Sequence, residues 1–310
     1  MPSRPIANAP CSWGTLEFAD LSGTRITYTQ MLDELVATGY TGTELGDWGF
    51  MPTDPRLLAS ELQQRSLTLI GAFVPVDLRG DAATVAPAIE HACRTGTLLA
   101  DAARLLGQTH HPLVILADTN GTDPVRTAIA GRVTSRIPTE VIQTAAEVAS
   151  QAARAIHAAC GIQSAFHHHC AGIVETPDEV RRFLQYIDTE RLGLVFDTGH
   201  MLYGSADNAT DIVALLREFA PHIRLVHFKY CDTRIADTMR TTNSDYFSAL
   251  QAGIFCELGQ GAVQFDAITH ALDTIGYSGW IVVEQDVLPG MGAPRDSAAR
   301  NRAFLQTIGL

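Results

Sequence analysis

The sequence of 310 residues lacks three features that would place it in other classes of protein. No apolar run approaches the roughly 20 residues needed to span a bilayer, so no membrane partner is expected. The six cysteines are scattered without a CxxC pair, which argues against a disulfide framework and predicts reduced thiols. Basic residues are also scarce: 22 Lys and Arg against 34 Asp and Glu give a formal net charge of −12. This charge repels polyanions, so nucleic acid is not an expected partner.

The amino-terminal region lacks the apolar core of an export signal, so we expect a cytoplasmic protein. A glycine-rich phosphate-binding fingerprint is also missing from the first expected turn, Ala9-Pro-Cys-Ser-Trp-Gly14. This second absence disfavours a doubly wound open sheet. The hydrophobic share of 46% and the charged share of 18% are ordinary for a soluble enzyme with a buried parallel sheet.

Apolar strands alternate with helical patterns from one end of the chain to the other, without a linker or low-complexity tract. About eight such units predict an α/β protein, a (β/α)8 TIM barrel forming a single domain over residues 1–310. The expected strands are Ile6 to Ala9, Thr43 to Leu45, Thr68 to Phe73, Leu113 to Leu116, Gln163 to Phe166, Leu192 to Asp197, Ile223 to His227 and Gly279 to Glu284. The stretch from Ala117 to Pro138 is expected to be a long loop, either a binding loop or a solvated one.

Three of the later strands stop on a side chain that binds divalent ions: Asp197, His227 and Glu284. Neighbouring parallel strands lie about 4.8 Å apart, so groups at their carboxyl ends can converge on one point. One polar residue at a strand end often only satisfies loop backbone, but three of compatible type at the same end predict a metal site. Such a donor set suits Mn²⁺, Co²⁺, Mg²⁺ or Zn²⁺ with positions left open for substrate.

A fourth group is expected from the fifth strand, where the sequence reads Ala165-Phe-His-His-His-Cys-Ala-Gly-Ile-Val-Glu175. Alternation puts His167 and His169 on one face and His168 on the other. Either of the first two could reach the metal or the substrate, and Glu175 could arrive from the loop as a ligand. A hydrogen-bonded histidine network in the core is the remaining alternative. Spacing alone does not separate these possibilities.

Further candidates surround this point. His200 lies one helical turn beyond Asp197 and could orient a substrate hydroxyl or hold the loop. Lys229 shares a strand face with His227 and could stabilise a developing enolate oxygen or form a salt bridge. A set of aromatic and acidic residues near the first two strand ends could bind a sugar or cyclitol ring, or could simply pack and cap: Trp13, Glu17, Glu44, Asp47 and Trp48.

At these residues the chain resembles the xylose-isomerase-like barrel superfamily, which includes sugar isomerases, epimerases and inosose dehydratases. The matching segments are His167-His-His169 with Gly172 and Glu175-Thr, Asp197-Thr-Gly-His200, His227-Phe-Lys229, Glu257-Leu-Gly-Gln-Gly261 and Val282-Val-Glu-Gln-Asp286. The resemblance implies a divalent ion, often Mn²⁺ or Co²⁺, with ligand roles for Asp197, His227 and Glu284. It also makes Glu257 a candidate for substrate binding.

Two departures bear on the reaction. Epimerases of this superfamily usually end the fifth strand on a glutamate, whereas this chain has histidines, as inosose dehydratases do. Inosose dehydratases commonly continue the seventh strand as Lys-Asp, whereas Tyr230 follows Lys229 here. We therefore expect a metal-dependent lyase of inosose-dehydratase type that acts on a keto-polyol or keto-sugar through an enediolate, with His169 or Glu284 as the base.

Several alternatives stay open at this point. A sugar isomerase or epimerase and a lyase that cleaves a keto-glycoside would use the same first step. An apurinic-endonuclease-type phosphodiesterase and a non-catalytic sugar-binding barrel would not. The expected partner is a small keto-sugar or cyclitol, and a homo-oligomer is possible.

Overall fold

Eight parallel strands close into a barrel in chain order in the computed structural model, which describes residues 4–14, 26–288 and 292–310. They are β1 (Ile6–Asn8), β2 (Gly42–Glu44), β3 (Thr68–Pro75), β4 (Leu113–Ala117), β5 (Ser164–His167), β6 (Leu192–Asp197), β7 (Ile223–Phe228) and β8 (Ile281–Val283). Strand β8 pairs with β1 in parallel, so the sheet has no free edge. The prediction of a (β/α)8 barrel is confirmed.

Helices cover the outside of the barrel and fill the connections between strands. They are α1 (Tyr28–Ala37), α2 (Pro55–Gln64), α3 (Ala82–Leu106), α4 (Pro124–Ile129), α5 (Thr139–Cys160), α6 (Pro177–Leu184), α7 (Thr198–Gly204), α8 (Ile212–Phe219), α9 (Thr233–Thr242), α10 (Tyr246–Gln251), α11 (Phe265–Thr274) and α12 (Pro294–Thr307). None of these helices combines the length and the apolar character needed to cross a membrane. The stretch expected to be one long loop after β4 contains α4, which is a correction to that expectation.

Local sequence explains where many of these helices begin and end. Asp54, Asp81 and Asp211 each accept a hydrogen bond from a backbone N–H in the first turn of the helix that follows. Gly107 and Gly161 end the two long helices in the left-handed conformation, with φ of 65° and 76°. These caps set where the helices begin and end. They therefore set the lengths of the loops around the mouth of the barrel.

Alternation along the strands decides which side chains enter the barrel. A small apolar layer fills the interior, and it includes Ala165 of β5, Val195 of β6, Leu225 of β7 and Val282 of β8. A residue two positions further along points to the same side, now at the carboxyl end. Asp197 and His227 are also paired directly across β6 and β7. The interior layer is therefore capped by the side chains at positions 167, 197, 227 and 284.

Candidate active site

Four side chains converge at the carboxyl end of the barrel: His167, Asp197, His227 and Glu284. Each offers one nitrogen or oxygen atom, and these four atoms lie within 4.8 Å of one another. Nε2 of His167 lies 3.6 Å from Oδ2 of Asp197 and 4.0 Å from Oε2 of Glu284. Nδ1 of His227 lies 3.9 Å from that oxygen of Asp197 and 2.6 Å from that of Glu284. The structure thus brings together the three predicted strand-end residues and takes the fourth from His167.

The unpartnered atoms of this cluster test whether it suits a metal ion. Both ring nitrogens of His167 and Oδ2 of Asp197 are buried without a hydrogen-bond partner among the described residues. Buried polar atoms are usually satisfied, and a charged oxygen left alone in the interior is costly. Two imidazoles and two carboxylates are a donor set that borderline divalent ions accept. The residues present therefore fit the expected cation.

His227 is held between two carboxylates. Its Nε2 donates to Oε1 of Glu44 at 2.9 Å, and its Nδ1 faces Glu284. Burial alone would lower the pKa of His227, but the carboxylates of Glu44 and Glu284 outweigh it and raise that pKa to about 10, so a cation bound at Nδ1 would displace a proton. The bond to Glu44 fixes the ring orientation and leaves Nδ1 directed at the cluster, which is how carboxylates commonly support a histidine ligand. Glu44, expected to bind substrate, therefore also orients His227.

Lys229 is buried beneath the cluster rather than exposed on the surface. Its ammonium lies 2.7 Å from Oε1 of Glu284 and 3.0 Å from Oδ2 of Asp286. Burial opposes ionisation of Glu284, but Lys229 and His227 hold its pKa well below the usual range. A second group of possible ligands, Cys11 with Glu284 and Asp286, includes both carboxylates that bind this ammonium. Lys229 is therefore placed to keep Glu284 ionised and to oppose the burial that raises the pKa of Asp286, which differs from the expected contact with an enolate oxygen.

His169 lies just beyond β5 and lines the pocket above the cluster. Its Nδ1 lies 2.6 Å from the carbonyl oxygen of Cys170, which can only accept, so Nδ1 carries the proton. The lone pair of Nε2 then accepts a long hydrogen bond, 3.5 Å, from the hydroxyl of Tyr246. Burial, together with the charges of His167 and Lys229, lowers the pKa of His169 to about 3. Nε2 is therefore unprotonated at the pocket, which is the form that a proton acceptor needs, and the lowered pKa makes it a weak base.

Two further histidines support this arrangement from behind. The ring of His200 packs against that of His169 at an interplanar angle of 38° with centroids 3.9 Å apart, and its Nδ1 accepts from the backbone N–H of Cys170 at 3.3 Å. His168 points to the other side of β5, as alternation predicted, and its Nε2 accepts from the backbone N–H of Asp197 at 3.3 Å. His200 does not line the described pocket, so the structure does not bring it to the substrate position expected for it.

The pocket above the cluster combines acidic groups with an apolar wall. Its lining residues are Ala9, Pro10, Cys11, Glu44, Gly46, Asp47, Phe73, Asn120, His167, His169, His227, Tyr246, Phe247, Leu250, Glu284 and Asp286. Sequence reasoning gave no role to Phe73, Asn120, Asp286 or the residues of α10. Asp286 could have been found from its place two residues after Glu284 on the same face. Asn120 and α10 lie in connections whose local sequence carries no such pattern.

Three predicted site residues lie elsewhere. The carboxylate of Glu175 accepts from the backbone N–H groups of Gly131 and Ala171, at 2.7 and 2.8 Å, and so does not join the cluster. The indole N–H of Trp13 donates to Glu34 at 3.0 Å within the core. These placements correct the expectations of a metal ligand and a substrate-stacking ring.

Glu257 is the third such residue. Its carboxylate accepts from the hydroxyl of Ser297 at 3.0 Å and from the guanidinium of Arg300, away from the pocket lining. The expectation that it binds substrate is corrected accordingly. Glu17, placed with the aromatic and acidic set, lies outside the described residues.

Comparisons with curated proteins give full-length matches. The chain is 28% identical over 308 residues to an inosose dehydratase of Klebsiella pneumoniae, covering 98% of each chain. It is 26% identical over 312 residues to an inosose dehydratase of Geobacillus thermodenitrificans, covering 97% of this chain and 96% of that one. The similarity thus extends across strands, loops and site together.

Solved structures share the architecture. A D-psicose 3-epimerase of Clostridium cellulolyticum superposes with a TM-score of 0.68 at 16% identity, covering 98% of both chains. A probable 3-DHS dehydratase of Bacillus anthracis superposes with a TM-score of 0.65 at 14% identity, covering 97% of this chain and 98% of that one. The family model described as "Xylose isomerase-like TIM barrel" matches residues 32–308. This chain therefore belongs to the xylose isomerase-like TIM barrel family.

Proposed function

We propose that this chain is a divalent-metal-dependent lyase of the inosose-dehydratase type, which removes water from a cyclic keto-polyol. The observation that carries the proposal is the pairing of the four-residue cluster with the unprotonated Nε2 of His169 in one pocket. Full-length similarity to proteins named inosose dehydratase supports the same reaction.

His167, Asp197, His227 and Glu284 would hold the ion, with Mn²⁺ or Co²⁺ as the preferred choice for two imidazoles and two carboxylates. When bound, such an ion supplies a Lewis acid that polarises a ketone oxygen and makes the adjacent C–H more acidic. Glu44 holds the ring of His227 in place, and Lys229 keeps Glu284 ionised. Both are positioning residues in this scheme.

The proton transfer falls to His169. Its Nε2 accepts the proton from the carbon next to the ketone, and the Nδ1–H bond to the carbonyl of Cys170 stabilises the imidazolium that forms. The substrate is then an enediolate, which expels the hydroxyl on the neighbouring carbon. The proton on His169 can leave with that hydroxyl as water, so the net change is the loss of one water molecule.

The rest of the pocket suits an uncharged polyol. Glu44, Asp47 and Asp286 can accept hydrogen bonds from hydroxyls, and Phe73 and Phe247 offer aromatic surface to the apolar faces of a ring. Arginine and lysine are absent from the lining as far as the structure describes it. A phosphodiester or a sugar phosphate would meet several carboxylates there and no arginine or lysine, which disfavours the endonuclease-type alternative.

The test uses the protein reconstituted with Mn²⁺ or Co²⁺ and incubated with inosose in D₂O. We expect a product that is lighter by one water. We also expect deuterium at the carbon next to the ketone in recovered substrate, or a primary isotope effect when that carbon carries deuterium. Label incorporation without loss of water would identify an isomerase or epimerase instead. Dehydration with neither label nor isotope effect would refute proton abstraction by His169.

A further inference from the structure

Asn120 is a buried amide at the pocket with no partner. It lies in the loop after β4 and lines the same pocket as His169. Neither its Oδ1 nor its Nδ2 has a hydrogen-bond partner among the described residues, although both atoms are buried. An amide left in this state costs free energy in the protein, and interior amides are usually paired. Such a group at a binding pocket is suited to be satisfied by a ligand.

The loop that carries Asn120 is fixed to the loop that carries His169. The backbone N–H of Gly121 donates to the carbonyl of Ala171 at 3.3 Å, and that of Ile173 donates to Oδ2 of Asp118 at 2.9 Å. Asn120 sits between these two ties. The backbone that carries its amide is therefore held in position before any ligand arrives, which lowers the entropic cost of binding.

Gly172, a member of the fifth-strand motif, leaves room for this amide. A Cβ at position 172 would lie 2.5 Å from Oδ1 of Asn120, closer than real side chains allow, and 3.1 Å from the carbonyl oxygen of His169. The backbone of Gly172 is not in the left-handed region, so a side chain there is opposed by these contacts rather than by φ, and it would displace the Asn120 amide. The side-chain amide of Asn120 and the carbonyl oxygen of His169 thus explain why position 172 has no side chain.

We propose that Asn120 is a specificity-determining residue that hydrogen-bonds a hydroxyl of the keto-polyol, and that Gly172 permits the position of its amide. This inference rests on the proposed function for the identity of the ligand. An amide both donates and accepts, as a hydroxyl does, so the two groups can pair in either sense. An uncharged side chain that hydrogen-bonds hydroxyls also complements a pocket whose other polar side chains include several carboxylates.

The first experiment compares Asn120→Ala and Asn120→Leu with wild type, all reconstituted with Mn²⁺. We expect kcat/KM for inosose to fall about 10- to 100-fold, because a site built to bond a hydroxyl discriminates strongly when that bond is lost. The dissociation constant for myo-inositol, an unreactive polyol probe, should rise in parallel when measured by calorimetry. Bound metal should stay at the wild-type level.

Deoxy-inososes that each lack one hydroxyl identify the hydroxyl that hydrogen-bonds to Asn120. For one of them, wild type and Asn120→Ala should have equal kcat/KM, because the bond is already missing. Thr122→Ala is the matched control: Thr122 lies in the same loop, is exposed, and bonds only to Thr119 among the described residues. This variant should behave as wild type with every substrate.

The second experiment places a methyl group at the contact. Gly172→Ala should reproduce much of the loss seen in Asn120→Ala, yet add little when combined with it, because the displaced amide is then absent. A full additional loss in the double variant would mean that position 172 acts through His169 instead.

The outcomes separate this inference from the proposed function. If wild type dehydrates inosose but the Asn120 variants match it in kcat/KM and in the dissociation constant for myo-inositol, the inference fails and the function stands. An equal loss by the variants on every deoxy substrate would likewise refute a specific hydroxyl contact. If wild type neither binds myo-inositol nor acts on inosose, both fall together.

Discussion

Two buried charged clusters lie beside each other in this barrel, and they differ in how their polar atoms are satisfied. In the first, made of His167, Asp197, His227 and Glu284, three buried atoms on His167 and Asp197 lack a hydrogen-bond partner among the described residues. In the second, made of Arg126, Glu175 and Glu179, every charged nitrogen and oxygen has a partner. Apart from Glu284, which is partly exposed, both clusters are composed of buried ionisable groups, so burial does not distinguish them.

The second cluster, Arg126 with Glu175 and Glu179, ties neighbouring loops together and is called the brace below. Arg126 makes a bidentate pair with Glu179 at 2.9 Å through both terminal nitrogens, and its Nε donates to the carbonyl of Gly172. Glu179 in turn accepts from the backbone N–H of Glu175 and of Thr176. Burial raises the pKa of Glu175 to about 7 in spite of Arg126. A network in which every polar atom is hydrogen-bonded stabilises loops, whereas one with unpaired polar atoms is suited to bind a ligand.

The largest expected effect comes from removing a charge from the first cluster. In Asp197→Asn the remaining Oδ1 can still accept from the backbone N–H of His200 as a helix cap, but the oxygen that faces the cluster is replaced. Bound metal should fall, and kcat should drop by roughly 10³-fold or more, since several kcal/mol of charge stabilisation are lost. Metal analysis and steady-state kinetics measure both. Asp211→Asn makes the same change at the exposed cap of α8 and should leave both unchanged; full occupancy and rate in Asp197→Asn would show that the site is misassigned.

The second largest effect is expected when the brace is broken, and it should appear in the free energy of unfolding. Arg126→Met leaves two glutamates buried without their cation, which should lower the free energy of unfolding by about 3–5 kcal/mol. The metal-loaded protein should retain most of its ion. Urea unfolding and metal analysis measure the two quantities separately. Arg181→Met is the matched control, because Arg181 is also bidentate, with Glu218, but exposed and solvent-screened, and it should cost less than about 1 kcal/mol.

The third effect tests His169, which lines the pocket above the first cluster. His169→Gln should keep bound metal and stability near wild type, yet lower kcat by about 10²-fold, the usual scale for loss of a general base. His270→Gln, on the exposed side of α11, serves as the control. Loss of the ion from His169→Gln would make this residue a ligand, and an unchanged rate would give the base role to another group.

The smallest expected effect lies at the edge of the brace. Thr176 accepts from the backbone N–H of Glu179 and begins α6 as half of a capping box. Thr176→Ala should lower the free energy of unfolding by about 1 kcal/mol, whereas Thr176→Ser should retain the cap. Activity and metal content should not change in either variant. A fall in both would show that the two clusters are coupled, and the contrast between them would be lost.

Much of the barrel follows from the sequence because its determinants are local. Alternation and strand length located the strands that carry Asp197, His227 and Glu284, and parallel pairing brings strand ends to one edge. Tertiary packing decided details: the apolar side chain of Val36 in α1 is 41% exposed. The same packing buries Arg126, which lay in a stretch expected to be an open loop.

The choice among His167, His169 and Glu175 was beyond the sequence, because it depends on where β5 ends and how the chain then turns. The strand ends at His167, and Ala171 adopts a left-handed conformation with φ of 64°. The carboxylate of Glu175 caps that turn and faces Arg126 instead of the cluster.

The sequence by itself therefore determined the barrel, the end of it at which side chains converge and three of those four side chains, since periodicity and strand ends are properties of short segments. Only the tertiary structure decided which fifth-strand side chain joins them and which ring nitrogen of His169 carries the proton. It also decided that Asn120 lines the pocket. Those outcomes depend on contacts between loops far apart in the chain, and no local pattern encodes such contacts. Trp13 and Glu257 illustrate the same limit, because their partners Glu34, Ser297 and Arg300 come from helices packed outside the barrel.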